Sequence, residues 1–314
     1  MSRSLWLWLA AVLFALGASG ARAGPHPASP PALELVVLGS GGPGATGRAS
    51  SSYVVLIDGE PRILVDAGSG AFVRMGESKL SLDSLDVILL THLHIDHAAE
   101  LPGIIKARAV AAAGPISFKV YGPPGRQAHG DIPAFPSTTR FIELLFGPQG
   151  AFAYLKDFAA PITFKVTDLA GSGSSTVSST VMSSDGVTIR AIPGHHGDAP
   201  AVIYRIDYRG RSIVFSGDID PVGLPALGAI SQRADLLVFN AVVLDPPASP
   251  AVLYGLHSPP KAIAAVAAEA HVGTLLMSHL SPAVEGHRAA VSDSLAAHYH
   301  GAVKYAEDGM HLVP

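Results

Sequence analysis

Short runs of apolar and β-branched residues recur along the chain, each bounded by glycine, proline or aspartate. Such runs are typical of buried β-strands. They lie at residues 35–38, 53–57, 63–65 and 87–90. Stretches of helical composition lie at residues 100–113, 259–271 and 283–298. Strands that alternate with helices from end to end indicate one layered α/β domain.

Other segments carry turn or loop signals. Residues 202–216 indicate two strands around the tight turn Arg209-Gly210, and Asp308-Gly309 predicts the turn of a C-terminal hairpin. The low-complexity stretch 171–184 predicts a mobile loop. Residues 126–185 form an insert that we predict to be a helical flap walling a pocket, although aromatic residues of this kind are more often core. These aromatics are Phe135, Phe141, Phe146, Phe152 and Tyr154.

The first 23 residues have the composition of a secretory signal peptide. Arg3 supplies a positive start, residues 5–17 form an apolar run, and small residues allow cleavage after Ala23. An uncleaved membrane anchor is the alternative, but the run is shorter than the roughly 20 residues that a span needs. Residues 24–31 then predict a linker, and residues 32–314 the folded domain. We expect a periplasmic or secreted protein with no stable membrane insertion after cleavage.

Composition excludes several classes of protein. Hydrophobic residues make up 48% of the 314 and charged residues 15%, which excludes a disordered chain. The absence of cysteine excludes disulfides, a cysteine nucleophile and thiolate zinc sites. The net charge is −4, and it becomes more negative once Arg3 and Arg22 leave with the signal peptide. Because contacts to phosphates dominate nucleic-acid binding, this acidic chain argues against a nucleic acid as the main substrate.

The densest group of chemically active residues is THLHIDH at residues 91–97, where the predicted strand 87–90 ends. Alternation along an extended chain aims His92 and His94 to one side, and Asp96 and His97 return toward the same point. Three imidazoles and a carboxylate are donors suited to zinc, with manganese and iron as alternatives. A polar turn with surface histidines is the other interpretation, which this spacing disfavours.

The HLHIDH segment resembles the HxHxDH motif of the metallo-β-lactamase superfamily, and the resemblance covers almost the whole mature chain. Residues 192–205 are similar to the segment with the next ligand histidine, and their spacing favours His196 over His195. Residues 215–218 (FSGD) and 275–279 (LLMSH) resemble the segments that carry the later ligands Asp218 and His279. The resemblance implies a four-layer αββα sandwich.

The resemblance also implies two divalent metal ions, zinc foremost, with a bridging hydroxide as nucleophile. Seven side chains would hold them, Asp218 bridging both metals and Asp96 also counting as catalytic. The two sets are His92, His94 and His196 for one metal, and Asp96, His97 and His279 for the other. Asp66 would orient a ligand histidine. As the family is known, true β-lactam hydrolases usually lack the bridging carboxylate.

A finer resemblance is to the ribonuclease Z–like and arylsulfatase-like branch, carried by residues 38–48 (LGSGGPGATGR) and 120–125 (VYGPPG). His257 stands where this branch places a histidine near the leaving group, so it would be a catalytic proton donor. An ordinary histidine at a helix entry is an equally good interpretation. The branch commonly has His-Glu where this chain has Phe239-Asn240. An asparagine could hydrogen-bond to His257 without stabilising its imidazolium by charge.

Branch members that process transfer RNA carry an RNA-binding arm after the strand matching residues 202–207. The turn at Arg209-Gly210 leaves no room for an arm, so we expect no tRNA partner. The expected function is that of an exported dinuclear metal hydrolase acting on a small anionic ester, first of all a phosphodiester. Arylsulfatase, lactonase and β-lactamase activities are alternatives on the same fold, and a non-catalytic metal-binding protein is the alternative of another class.

Overall fold

A computed structural model of the chain describes residues 30–158, 160–169 and 176–314. The predicted signal peptide, most of the predicted linker and residues 171–175 of the low-complexity stretch lie outside the described residues. Within the described part, none of the helices combines the length and the apolar character that a membrane span requires.

The strands of the described residues form two seven-stranded mixed sheets. The first sheet contains β1 (Leu33–Gly39), β2 (Ser52–Ile57), β3 (Glu60–Ala67), β4 (Val87–Leu89), β5 (Ile116–Gly122), β6 (Ile162–Asp168) and β14 (His311–Leu312), in the order β14-β1-β2-β3-β4-β5-β6. The second contains β7 (Ser179–Ser184), β8 (Val187–His196), β9 (Ala199–Tyr208), β10 (Arg211–Phe215), β11 (Leu236–Asn240), β12 (Thr274–Ser278) and β13 (Ala302–Tyr305), in the order β13-β12-β11-β10-β9-β8-β7.

The helices are short and cover the outer faces of the sheets. They are α1 (Ala71–Glu77), α2 (Ile95–Ala98), α3 (Leu101–Ala111), α4 (Thr138–Phe146), α5 (Leu224–Ile230), α6 (Pro260–Glu269), α7 (Pro282–Gly286) and α8 (Arg288–Ala296). Single 3-10 turns lie at Ala153–Asp157, Pro221–Gly223 and Ala251–Gly255.

Alternation along the strands explains the layers. In β1, Leu35 and Val37 pack into a cluster between the two sheets, whereas Val36 and Leu38 pack into a second cluster under helices α1, α3 and α4. A third cluster lies between the second sheet and helices α5, α6 and α8. Both faces of each sheet are therefore buried, which is why the central strands read as continuous apolar runs. The predicted four-layer αββα sandwich is confirmed.

Three local predictions are wrong. Residues 179–184 of the predicted mobile loop form β7, because pairing with β8 gives their backbone groups partners that composition does not reveal. Residues 311–312 do not pair with β13 in a hairpin. They cross to the other sheet and pair with β1. The predicted helix 283–298 divides into α7 and α8 at His287, whose backbone is not helical (φ −128°).

The insert 126–185 is not wholly helical. Its described residues contain α4 and one 3-10 turn, and they also supply the edge strands β6 and β7, one to each sheet. Of its aromatic residues, Phe146 is buried in the core, Phe141, Phe152 and Phe164 are partly buried against it, and Tyr154 and Phe158 are exposed. The Phe146 ring stacks on Phe164 at 4.9 Å, and Phe164 stacks on Phe118 at 5.6 Å.

Strand direction places the chemistry at one edge. β3 and β4 run parallel in the first sheet, and β10, β11 and β12 run parallel in the second. The carboxyl ends of these strands are followed by loops that meet at the same edge of the sandwich. Gly41 marks this meeting, since it forms bridges both to Ser50 and to Leu280 at the end of the second sheet.

Candidate metal centre

The HLHIDH segment leaves the end of β4 and turns at once into α2. His94 caps this helix in an extended conformation (φ −68°, ψ 154°), so the first helical turn brings Asp96 and His97 back beside the preceding histidines. His92 and His97 are fully buried, and their ring centroids lie 4.0 Å apart. The local fold thus gathers all four predicted side chains.

Asp218 lies at the centre of the cluster, in the loop after β10. One or other of its carboxylate oxygens lies 3.5 to 4.0 Å from a ring nitrogen of five histidines. These are His92, His97, His196, His257 and His279. Gly217 precedes Asp218 with φ 57°, and a Cβ there would lie 2.7 Å from Thr91 Cβ. Glycine therefore lets the loop pass close enough to present Asp218.

The ligand atoms form overlapping groups in which all atoms lie within 4.8 Å of one another. One group is His92, His94 and His196, and another is Asp96, His97 and His279. Asp218 joins His92 and His97 in a third group and His196 and His257 in a fourth. The structure thus brings all seven predicted metal-ligating residues together, with Asp218 between the two triads.

Unpartnered nitrogens show that this cluster suits a cation. Nε2 of His92 and Nε2 of His97 are buried without a hydrogen-bond partner among the described residues. Buried polar atoms without partners are rare, and each needs an explanation. Nitrogen and carboxylate donors of this kind are the ligands of zinc and related divalent metals. The residues present therefore fit a divalent metal.

Contacts behind the cluster fix the orientation of its rings. The buried Asp66 carboxylate accepts hydrogen bonds from Nδ1 of His97, from Thr91 N and from Thr91 Oγ1, each at 2.7 Å. His196 donates from Nδ1 to the carbonyl of Leu256 at 2.8 Å. These bonds leave Nε2 of both histidines facing the cluster, as in metal sites where a neighbour sets the tautomer.

His279 occupies a tight position after β12. It has a left-handed backbone (φ 54°), and its Nε2 lies 3.1 Å from Asp96 Oδ2. A Cβ added at Gly42 would lie 2.6 Å from His279 Cε1, closer than side chains tolerate. The glycine loop after β1 therefore gives this ring its space.

Burial and charge shift the pKa values of the cluster in opposite directions. Burial, reinforced by the neighbouring His97, holds the pKa of His92 well below its usual range. Burial alone would raise the pKa of Asp218, but the surrounding imidazoles outweigh it and hold that pKa well below normal. Burial would lower the pKa of His97, as it does that of His92, yet the neighbouring Asp66 and Asp218 raise it to about 9. In the metal-free protein at neutral pH, His97 is therefore protonated beside the ionised Asp218.

His257 follows the 3-10 turn at Ala251–Gly255 and is buried against the cluster. Its Nδ1 lies 4.0 Å from Asp218 Oδ2, and burial lowers its pKa to about 4. Asn240 does not hydrogen-bond to His257. It donates from Nδ2 to Asp218 Oδ1 at 2.7 Å. Sequence reasoning missed this role of Asn240, whose only signal was its position at the end of a buried strand.

A cavity of about 340 Å³ opens beside the cluster. His94, Asp96, His196, Asp218, His257 and His279 line its floor. Its walls are mostly apolar and include Val242, Leu253, Leu256 and Leu280, and no lysine or arginine is among the described residues that line it. His195 points elsewhere, since it is part-exposed and its Nδ1 lies 2.6 Å from Asp220 Oδ2.

Comparison with known proteins agrees with this geometry. The model of the β-lactamase superfamily domain matches residues 61–280. A ribonuclease Z of Mycobacterium marinum is 32% identical over 263 residues, covering 80% of this chain and 88% of that protein. The crystal structure of the short form of human tRNase Z superposes with a TM-score of 0.65 at 22% identity, covering 90% of this chain and 99% of that one. The metallo-β-lactamase fold protein YhfI of Bacillus subtilis gives a TM-score of 0.64 at 20% identity, covering 89% and 99%.

The fold, the ligand cluster and these similarities define the class of protein. The chain belongs to the metallo-β-lactamase superfamily, in its ribonuclease Z–like branch. It is a metal-dependent hydrolase of that superfamily.

Proposed function

We propose that this chain hydrolyses phosphodiester bonds in a small anionic ester, using two divalent metal ions. The observation that carries the proposal is the position of Asp218, whose carboxylate lies within 4 Å of His92 and His196 on one side and His97 and His279 on the other. A carboxylate so placed can serve two cations at once, which suits the displacement of an ester oxygen by the oxygen of a water molecule.

Each of the two ligand triads would hold one metal ion. His92, His94 and His196 would hold one ion, and Asp96, His97 and His279 the other, with Asp218 shared. When bound, such cations activate water for attack and offset the negative charge that develops on the ester. We propose zinc for both sites because imidazole and carboxylate donors suit it, with manganese or iron as substitutes.

The other residues of the site orient the metal-ligating side chains or contact the substrate. Asp66 holds His97, and Asn240 holds Asp218 by donating to the oxygen Oδ1. His257 borders the cavity, and its Nδ1 has no hydrogen-bond partner among the described residues, so we place it beside the leaving group, to which its ring can donate a hydrogen bond. Its ring is uncharged at neutral pH, and Asn240 adds no negative charge beside it.

The substrate we propose is small. Strands β9 and β10 join through a two-residue turn at Arg209 and Gly210, so no arm projects there. The cavity beside the cluster is compact and lacks cationic walls, which does not suit a polyanion such as tRNA. The name of the similar mycobacterial protein, ribonuclease Z, denotes cleavage of RNA and supports the type of bond, not the size of the substrate.

We also propose that the chain is exported to the periplasm or beyond, with Gly24 as its first mature residue. The composition of residues 1–23 supports this. Mass spectrometry of the protein from fractionated expressing cells would find the N-terminus at Gly24. An intact Met1 terminus, with the protein retained in the cytoplasm, would contradict export.

The activity is tested by release of p-nitrophenol from bis(p-nitrophenyl) phosphate by the mature protein. Turnover should require added zinc or manganese, cease after chelation, and disappear in Asp96→Ala. The control His287→Ala changes an exposed histidine away from the cluster and should keep wild-type turnover. A protein that holds two metals and still leaves the diester intact would contradict the proposal and direct attention to sulfate esters, lactones and β-lactams.

A further inference from the structure

Between β5 and α4 the chain makes a small hairpin, residues 126–135. Arg126 N donates to the carbonyl of Phe135 at 3.0 Å, and Phe135 N donates back to the carbonyl of Arg126 at 2.9 Å. His129 and Ile132 close the tip with a second reciprocal pair, both at 3.0 Å. The 126–135 hairpin is thus an ordered feature whose two ends are fixed to each other.

The base of this hairpin lies against the metal centre. The Phe135 ring centroid is 6.3 Å from that of His94, at an interplanar angle of 46°. Among the described aromatic residues of the insert, Phe135 alone is in ring contact with a histidine of the cluster. Phe135 and His94 are both partly exposed, so both rings are accessible to solvent beside the centre. His94 lines the 340 Å³ cavity, whereas Phe135 is not among the residues that line it.

Arg126 and Asp198 hold the Phe135 ring in place. The Arg126 guanidinium lies 5.3 Å from the centre of the Phe135 ring, a distance typical of a cation–π contact. Arg126 Nη1 also binds Asp198 Oδ1 at 3.1 Å. Asp198 lies in the turn after His196, and that turn is itself fixed because Gly197 N donates to Asp220 Oδ2 at 3.0 Å. The hairpin is therefore tied to the turn that carries a ligand histidine.

We propose that Phe135 determines substrate specificity by packing against an aryl, or similarly planar, group of the bound ester next to His94. Arg126 and Asp198 are positioning residues that act through Phe135. This inference rests on the proposed function, since it assigns the substrate class of the same centre. Aromatic rings prefer offset or edge-to-face contact with another ring, and each such contact contributes about 0.5–1.5 kcal/mol beyond the area it buries.

The test compares two anions that differ only in the group facing Phe135. Calorimetry of the zinc-loaded protein should show phenylphosphonate binding about two- to tenfold more tightly than methylphosphonate. Phe135→Leu should remove that preference, whereas Phe135→Tyr should retain it. Phe158→Leu makes the same change at an exposed phenylalanine elsewhere in the insert and should leave both affinities unchanged. Arg126→Met should reduce the preference while methylphosphonate binding stays the same.

Three results would overturn the inference: equal binding of the two phosphonates by the wild type, binding of neither, or an unchanged preference in Phe135→Leu. The proposed function is judged separately, by turnover of bis(p-nitrophenyl) phosphate. A phenyl preference that depends on Phe135 in a protein without diesterase activity would refute the activity and keep the binding subsite.

Discussion

Asp66 Oδ2 accepts the Nδ1 proton of His97 at 2.7 Å, and this contact determines which nitrogen of His97 faces the metal centre. Both residues are buried, so water cannot replace the bond. Asp66 has a left-handed backbone (φ 56°), a conformation that asparagine also tolerates. Asparagine therefore replaces aspartate here without backbone strain.

We expect Asp66→Asn to lower the affinity for one metal by about 10- to 100-fold, the usual effect of losing a carboxylate behind a ligand histidine. Competition with a chromophoric chelator measures this affinity. Asp235→Asn is the control, because the Asp235 carboxylate also accepts hydrogen bonds from the backbone nitrogen and the hydroxyl of one residue, Ser212, and lies outside the cluster. Equal losses in the two variants would contradict the role given to Asp66.

Zinc binding should release a proton from His97. Its pKa of about 9 in the metal-free protein keeps it protonated at pH 7.5, and a metal at Nε2 requires the neutral ring. This pKa lies above the unfolded value of about 6.5, so protonated His97 stabilises the metal-free fold fully below pH 6.5, and this contribution disappears as the pH rises through 9.

Calorimetric titrations with zinc in two buffers of different ionisation enthalpy count the released protons. We expect the count to fall between pH 7.5 and 9.5, and to be smaller in Asp66→Asn at pH 7.5. A count that is independent of pH and of Asp66 would contradict the prediction.

Removing the side chain that donates a hydrogen bond to Asp218 should weaken metal binding or catalysis without leaving a cavity in the core. Asn240→Leu keeps a buried side chain of similar size but leaves Asp218 Oδ1 without its hydrogen bond. Hydrogen bonds to charged groups contribute about 1.5–3 kcal/mol, so we expect metal affinity or kcat to fall by about 10- to 100-fold. Metal content by atomic absorption separates the two effects, and wild-type values for both would show that Asn240 is dispensable.

His257→Ala should lower kcat with little loss of metal, because the imidazole lies at the cavity and outside the two ligand triads. The ring is uncharged at neutral pH and acts as a hydrogen-bond donor to the developing charge on the leaving oxygen. Hydrogen bonds to charged groups contribute about 1.5–3 kcal/mol, so we expect kcat to fall by about 10- to 100-fold. The loss should be larger for an alkyl leaving group than for p-nitrophenol, which departs without help. An unchanged kcat on the alkyl ester would remove His257 from the mechanism.

A methyl group at Gly42 should displace His279. The added Cβ would lie 2.6 Å from His279 Cε1, whereas the same change at Gly44 meets only Thr46 Cγ2 at 3.3 Å. We expect Gly42→Ala to bind one metal ion fewer than the wild type and to lose roughly 90% of the activity or more. Gly44→Ala should keep a metal content and an activity near those of the wild type. Equal metal content in both variants would show that the ring can shift.

In residues 92–97 the potential metal ligands alternate with apolar residues, and this pattern made the metal centre predictable from the sequence. His92, His94, Asp96 and His97 are close in sequence, so strand and helix geometry alone brings them together. His196, Asp218 and His279 required the resemblance, because their distance along the chain hides their proximity. The partner of Asn240 could not be predicted, since it depends on how β11 lies beside β10.

The position of the 126–135 hairpin beside the metal centre could not be predicted from the sequence, for a related reason. Residues 126–135 read as part of an aromatic insert, and composition does not separate the ring that borders the centre from the rings that stack in the core. Strand β7 was missed because its Ser- and Thr-rich sequence does not alternate apolar with polar residues, and its backbone pairing with β8 depends on contacts that its own sequence does not show.

Between β13 and β14 the chain crosses from the second sheet to the first, and this crossing affects the order in which parts of the protein fold. The segment between β13 and β14 carries Asp308, whose carboxylate accepts hydrogen bonds from Ser40 N and Ala49 N at the two ends of the glycine loop with Gly42. The space for His279 is therefore held open by a contact between residues 268 positions apart along the chain. The glycine loop takes this shape only after the segment between β13 and β14 has packed against it, so the docking of that segment must precede the completion of the metal centre.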